Sequence, residues 1–333
     1  MTRSFPLLLL AYLGAVSLIL TALSLLQISI AAAARFAASR GLWRTTRALG
    51  MLLSLILIRR RRMAAALAFE NEVNSRVQGG DVRTAKELVR ARMGGKEASP
   101  SIRNAAINAL IAAGAYEAAL RNEPAEHLAQ SPIDAVQLVL CQINLAEAEY
   151  NLGRWDAAEA RLRPLDLASG AFDVTRAGLL QQRAWIAAHR GRADEALELC
   201  ARVRPTWLPV EFRAEHHFTR VVALLAAGRF EDAETVLREG EKTARRLSSK
   251  RNAIFLRARI AAAGGDWVAA EKQCRLAANH PFRTQGGDGL FLWAQALDKL
   301  ARTADAAEAR RLVLERDPES EAARAIAAAS SAA

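Results

Sequence analysis

From about residue 65 onward, apolar positions recur at helical spacing in blocks, each block broken at a glycine. Within a block a helix of about 13 residues precedes the glycine, a tight turn forms at it, and a second helix carries an alanine five places later. The phrase reads Gly114-Ala115-Tyr116 with Ala119, Gly153-Arg154-Trp155 with Ala158, Gly228-Arg229-Phe230 with Ala233, and Gly265-Asp266-Trp267 with Ala270. Looser copies start at Gly80 (Val82, Ala85) and Gly191 (Ala193, Ala196), and in a last copy Ala301 replaces the glycine, with Thr303 and Ala306. Successive leads are 34, 39, 38, 37, 37 and 36 residues apart. Such a period predicts an all-α solenoid of about seven helix–turn–helix repeats. The first helices are expected at Met63–Gln78, Ser101–Ala113, Ala135–Leu152, Arg176–Arg190, Arg213–Ala227, Lys250–Gly264 and Gly289–Leu300. No long run alternates apolar and polar, so strands are not expected.

The glycine suits a turn that needs positive φ. The seven alanines share one register, which implies a helix crossing close enough to admit only a methyl group. The aromatic after the glycine, Trp155 among them, reads as core. These residues resemble the tetratricopeptide-repeat family, where Gly-x-aromatic-x-x-Ala closes one helix and opens the next. Ala146, Ala184, Ala258 and Ala294 match that family's small residue seven places before the glycine, and Pro281 and Pro318 its closing proline. The resemblance divides the chain into residues 1–62, a solenoid at 63–318, and 319–333. The last part is expected to form a capping helix over Glu319–Ala329 with a frayed Ala/Ser tail.

The resemblance implies a binding scaffold whose first helices line a concave groove for protein or peptide partners. The groove positions, ten, six and two before each glycine, hold Asn104, Asn108, Ile143, Glu147, Asn151, Gln181, Trp185, His189, Phe218, Val222, Phe255, Arg259, Phe291 and Gln295. Aromatics beside amides suit a docked segment held by apolar anchors and hydrogen bonds. They equally suit packing between successive repeats. Eight places before the glycine stand Arg183, Arg220 and Arg257. They read either as an anion-binding row or as pairs with acids such as Asp194, Glu195, Glu231 or Asp232.

Composition changes this picture at the N-terminus. The chain of 333 residues has a formal charge of +11, and nine arginines before Glu70 (Arg3, Arg35, Arg40, Arg44, Arg47, Arg59 to Arg62) account for most of it. The repeats are near neutral, which excludes a basic nucleic-acid footprint there. Phe5 to Ala34 carries no charge and is long enough for a transmembrane helix. A second apolar stretch, Ala48 to Ile58, is too short to span unaided, leaving one span or a hairpin open. Either topology puts the repeats on the arginine-rich side, the cytoplasmic face of a bacterial inner membrane, with lipid contact through the anchor.

Cys141, Cys200 and Cys274 are too few and too scattered for a disulfide framework or zinc site, and read as core. No catalytic arrangement, cofactor motif or metal site is expected, so the chain reads as a non-enzymatic scaffold. Two other readings stay open. One is a resemblance to HemY-type proteins, implying an accessory role in haem or porphyrin metabolism, from which the short arginine-rich connection at Arg35–Arg47 departs. The other is a metal- or cofactor-dependent enzyme using the helix from Glu211 to His217. Oligomeric state is not legible.

Overall fold

The computed structural model describes residues 64–332, apart from 67, 70, 71, 74, 77–80, 94–99, 125–131, 166–172, 209–211, 246 and 281–286. Both N-terminal apolar stretches, the Gly80 turn and Glu211 therefore lie outside the described residues. The chain divides into two compact units, Met1–Ala65 and Ala66–Ala333, and the repeats form the second.

The described part is helical, in the order the glycine phrase predicts. Helix α1 spans Val82–Met93, and six hairpins follow it. They are α2 (Pro100–Ala112) with α3 (Tyr116–Leu120), α4 (Pro132–Asn151) with α5 (Trp155–Leu162), and α6 (Asp173–His189) with α7 (Ala193–Ala201). Then come α8 (Arg213–Ala226) with α9 (Phe230–Thr243), α10 (Leu247–Ala263) with α11 (Trp267–Ala278), and α12 (Gly287–Lys299) with α13 (Thr303–Arg316). Helix α14 (Glu321–Ala332) closes the array. Each first helix packs on its own partner and on the first helix of the next repeat, so the core runs along the solenoid. The architecture is a tetratricopeptide-like α-solenoid.

Every described hairpin turn has the same hydrogen bonding. In the first, the Gly114 N–H donates to Ile111 O and the Ala115 N–H to Leu110 O, a Schellman closure; the pattern repeats at 153, 191, 228, 265 and 301. The five glycines have φ between 65° and 79°, and Ala301 is held at 57° in their place. A side chain there meets its own backbone, which costs about 1–2 kcal/mol. The register alanines are the other constant: Ala85 is 1% exposed and Ala119, Ala158, Ala196, Ala233, Ala270 and Ala306 are 0%. At the α8–α9 crossing even a methyl is excluded, because a Cβ on Gly240 would lie 2.8 Å from Phe218 Cε1.

Two features depart from expectation. The Ala/Ser tail is not frayed: α14 continues to Ala332, with Ser330 and Ser331 hydroxyls donating to Ile326 O and Ala327 O. High alanine propensity and burial of Ala322, Ala323 and Ile326 against Leu290 and Val313 explain it. Secondly, the superhelix turns far enough to bring its end onto its beginning. The segment after α13 packs on the turns of the Gly114 and Gly153 repeats. A Cβ on Gly114 would lie 3.1 Å from Asp317 Oδ1 and one on Gly153 3.0 Å from Glu321 Cγ, whereas at Gly191, Gly228 and Gly265 nothing lies within 4 Å.

These turns set a graded test in denaturant midpoints of the detergent-solubilised full chain. Ala301→Gly should stabilise by about 1 kcal/mol by relieving the left-handed alanine, and Gly228→Ala should destabilise by about the same. Gly153→Ala should cost more than Gly228→Ala, since it also displaces Glu321. Equal losses at the two glycines would show that the closure contributes nothing.

A closed channel as the candidate binding site

The inner faces of the first helices surround a cavity of about 760 Å³, walled on its remaining side by the Asp317–Glu321 segment. Early helices line it through their C-terminal parts, with Asn108 and Ala112 of α2 and Glu147 and Asn151 of α4. Later helices line it through their N-terminal parts, with Glu215 of α8, Ser248 and Asn252 of α10, and Gly287 to Gly289 of α12. The rise of the superhelix along its axis accounts for this drift.

Ten of the fourteen groove residues expected from sequence reach the cavity: Asn104, Asn108, Ile143, Glu147, Asn151, Gln181, Trp185, His189, Phe218 and Phe255. Arg259, Phe291 and Gln295 are not among its lining residues: α12 reaches it only through Gly287 to Gly289, and α10 no further than Leu256. Phe291 instead packs against the Leu290–Val313 cluster, Gln295 is exposed, and Val222 is buried in the core.

The walls divide by chemistry. At one end stand the amides of Asn104 and Asn144, Asn144 Nδ2 donating to Asn104 Oδ1 (2.7 Å) and Asn104 Nδ2 to Oε1 of Gln137 (3.2 Å), which is outside the lining. Next to it stands an aromatic wall. Tyr150 stacks on Trp155 with centroids 5.5 Å apart, Trp155 on His189 at 5.2 Å, and His189 tilts against Trp185 at 4.7 Å. His189 Nδ1 lies 2.9 Å from Trp185 O. A carbonyl can only accept, so this nitrogen carries the proton and Nε2 is left as an acceptor. Burial, with the nearby Arg259 cation adding to it, lowers the His189 pKa to about 4, so the ring is neutral at pH 7.

Trp155 thus corrects the sequence reading. It is half-buried and lines the cavity, its Nε1 donating to Glu321 Oε2 at 3.3 Å. Tyr116, in the equivalent place one repeat earlier, is core and wall at once: it is 1% exposed and its hydroxyl donates to Asp317 Oδ2 at 3.3 Å. The glycine phrase therefore contributes to the site wherever the closing segment touches it. Asp317, Glu319 and Glu321 were not predicted, since their partners lie 201, 202 and 166 residues away. No local pattern marks such pairs.

The closing segment is pinned by three carboxylates. Asp317 Oδ2 accepts from Tyr116 and from the Gly287 N–H (3.1 Å), Glu319 accepts from the Glu117 N–H at the start of α3 (2.9 Å), and Glu321 accepts from Trp155. Burial pushes the Asp317 pKa up to about 6, the Gly287 N–H partly offsetting this. Burial also raises the phenols of Tyr116 and Tyr150 well above their usual range, and nearby carboxylates push both further.

The arginine ladder lies off the cavity. Arg183 donates to the C-terminal carbonyls of the preceding hairpin, Leu162 O (2.7 Å) and Leu165 O (3.1 Å), completing that helix end. Arg257 pairs with Glu234 (3.1 Å) and Glu241 (2.6 Å), not with the acids one turn earlier. Arg220 is exposed and forms no ion pair with a described residue. The three cysteines are free and buried, and burial pushes their thiols up to about 12, 11 and 12 in chain order. His216 and His217 are adjacent rings on α8, with His216 lowered to about 4 by burial. Among the described residues no group of three or more His, Cys, Asp or Glu is placed to hold a metal ion.

Fold and cavity together define a class, an α-solenoid of tetratricopeptide-like hairpins with a cavity between its inner faces and its C-terminal segment. No family model and no curated protein matches the chain. Among solved structures, a Rap protein complexed with competence and sporulation factor superposes with a TM-score of 0.49 and 13% identity over 77% of each chain. PilW, a type IV pilus biogenesis factor, gives 0.37 and 16% over 79% of this chain and 98% of its own. At such values the repeat geometry itself, not the superposition, defines the fold.

The closure has a pH signature. Asp317, raised from 3.8 to about 6, favours the fold below pH 3.8, and that contribution is lost as pH rises through 6. His189 and His216, lowered from 6.5 to about 4, contribute above pH 6.5 and lose it as pH falls through 4. Asp317→Asn should therefore gain stability relative to the parent between pH 4 and 6.5, read as a growing difference in urea midpoints. A difference that does not vary with pH would show that Asp317 titrates normally.

Proposed function

We propose that this protein is a membrane-anchored scaffold that captures a short peptide segment of a protein partner inside its closed channel. The supporting observation is the convergence of ten groove residues from α2, α4, α6, α8 and α10 on one cavity of about 760 Å³. That volume is in the ~300–1,000 Å³ range of small-ligand pockets, so the occupant is a segment of a few residues and not a folded domain. The amides of Asn104 and Asn144 supply paired donors and acceptors for a peptide backbone, while Phe218, Phe255 and the aromatic wall supply apolar contact. The anchor reading rests on the uncharged stretch from Phe5 to Ala34 and the arginines after it. Among the described residues no helix is long and apolar enough to cross a membrane.

Two measurements test this. Trp155 and Trp185 line the channel, so hexapeptides from an array should change the intrinsic fluorescence of the full chain in micelles. Asn144→Ala should weaken the best binder about tenfold, the order of one lost buried hydrogen bond with its partner left unsatisfied. Val268→Ala, on an exposed residue of α11, should leave it unchanged. Binders indifferent to Asn144→Ala would place the peptide elsewhere. For topology, a reporter fused after Met63 should be active only in its cytoplasmic form, and an exported reporter would overturn the orientation.

A further inference from the structure

The charge of the channel runs against the charge of the chain. Five carboxylates line it, from Glu147, Glu215, Asp288, Asp317 and Glu321, against one guanidinium, Arg251, which acts on Asp317, with Arg259 off the lining but close to His189 and Asp288. The chain as a whole is +11. The lining is not neutralised by its histidine, whose ring is neutral for want of water around it.

Three further observations give this excess a direction. First, Glu215 Oε2 and Asp317 Oδ1 are buried and have no hydrogen-bond partner among the described residues; Asp317 as a whole is 4% exposed. Both are carboxylate oxygens and can only accept, so what would satisfy them is a donor. Secondly, the aromatic wall stands directly against one of the carboxylates, because Trp155 both stacks in the wall and donates to Glu321. Indole and phenol faces attract a cation within about 6 Å of the ring, and the attraction grows as water is excluded. Thirdly, Gln181 Nε2 is also buried and without a described partner, and it is a donor. A ligand that suits the channel brings both a cationic donor for the carboxylates and a carbonyl for Gln181.

We infer that the peptide held in the channel carries an arginine or lysine, whose cationic head is taken between the Tyr150–Trp155–Trp185 wall and the carboxylates of the closing segment, Asp317 and Glu321. The inference rests on the peptide-binding reading and sharpens it. Arginine fits better than lysine, since its planar head stacks on the indoles while its five N–H donors reach more than one carboxylate. Arg324, one turn beyond Glu321, is exposed and lies with that side chain against the Gly153 turn. The closing segment thus has two tasks, completing the wall and providing the counter-charge.

The test uses the full chain in detergent micelles and an array of hexapeptides, followed by versions of the best binder that differ at one position. Arginine at that position should bind about tenfold more tightly than its neutral isostere citrulline, the order of one desolvated cation–π contact, and glutamate should bind worst. Lysine should fall between. Glu321→Gln keeps an acceptor for Trp155 and should shrink the arginine-to-citrulline ratio several-fold. Trp155→Phe should shrink the same ratio with the fold intact by circular dichroism. Binding that ignores charge would overturn the inference and leave the peptide reading standing, as would a preference for acidic peptides. Failure of every peptide in the array to bind would overturn both.

Discussion

The left-handed residue at each hairpin turn is the constraint on which the rest depends. It ends the first helix with a Schellman closure and starts the second after a fixed change of direction, six times in the described chain. With the turn fixed, an alanine at the crossing lets the two helices approach to methyl distance, and the repeat becomes a rigid wedge. Stacking identical wedges accumulates rotation. Six of them rotate the chain far enough that the segment after α13 meets the turns of the second and third repeats. The fold's tolerance of alanine at position 301 shows that neighbouring wedges can impose the conformation even where the residue opposes it.

Closure converts a groove into a channel and changes the physics of its lining. A residue on an open concave face keeps much of its water; the same residue here is surrounded on several sides. The shifts of His189 and Asp317 have that single origin: each favours the uncharged form, holding the histidine neutral and raising the carboxyl toward protonation. Both shifts reduce charge in the lumen, as burial demands. The carboxylates that remain are held by donors from distant repeats, Tyr116, Glu117 N–H and Trp155. Repeats that are near neutral overall thus enclose a lining rich in carboxylates.

Arginine has two unrelated roles along the solenoid. At positions such as Arg183 and Arg257 it completes the end of the previous hairpin or pairs across it, so a periodic row of cations is a structural seam. Arg192, Arg229 and Arg302, at the start of the second helices, pair with acids three residues on, in exposed contacts worth little individually. Neither set faces the channel. Periodicity identifies a residue's place in the wedge, and a repeated place is usually a packing place.

What the sequence determined by itself was everything carried by local and nearest-neighbour rules. The helices, the turns at Gly114 to Ala301 and the buried alanines follow from spacing, because each repeat is specified within about forty residues. Most groove positions were legible for the same reason, since register fixes which face of a first helix is concave. Four of them missed the cavity: Val222 turned into the core, and Arg259, Phe291 and Gln295 fell past a lining whose drift along the superhelix axis has no local signature. Only the tertiary structure decided that the solenoid closes, that Trp155 and Tyr116 belong to the wall, and that Asp317 and Glu321 face them. Closure depends on small rotations summed over six repeats, and contacts some two hundred residues apart are set by that sum.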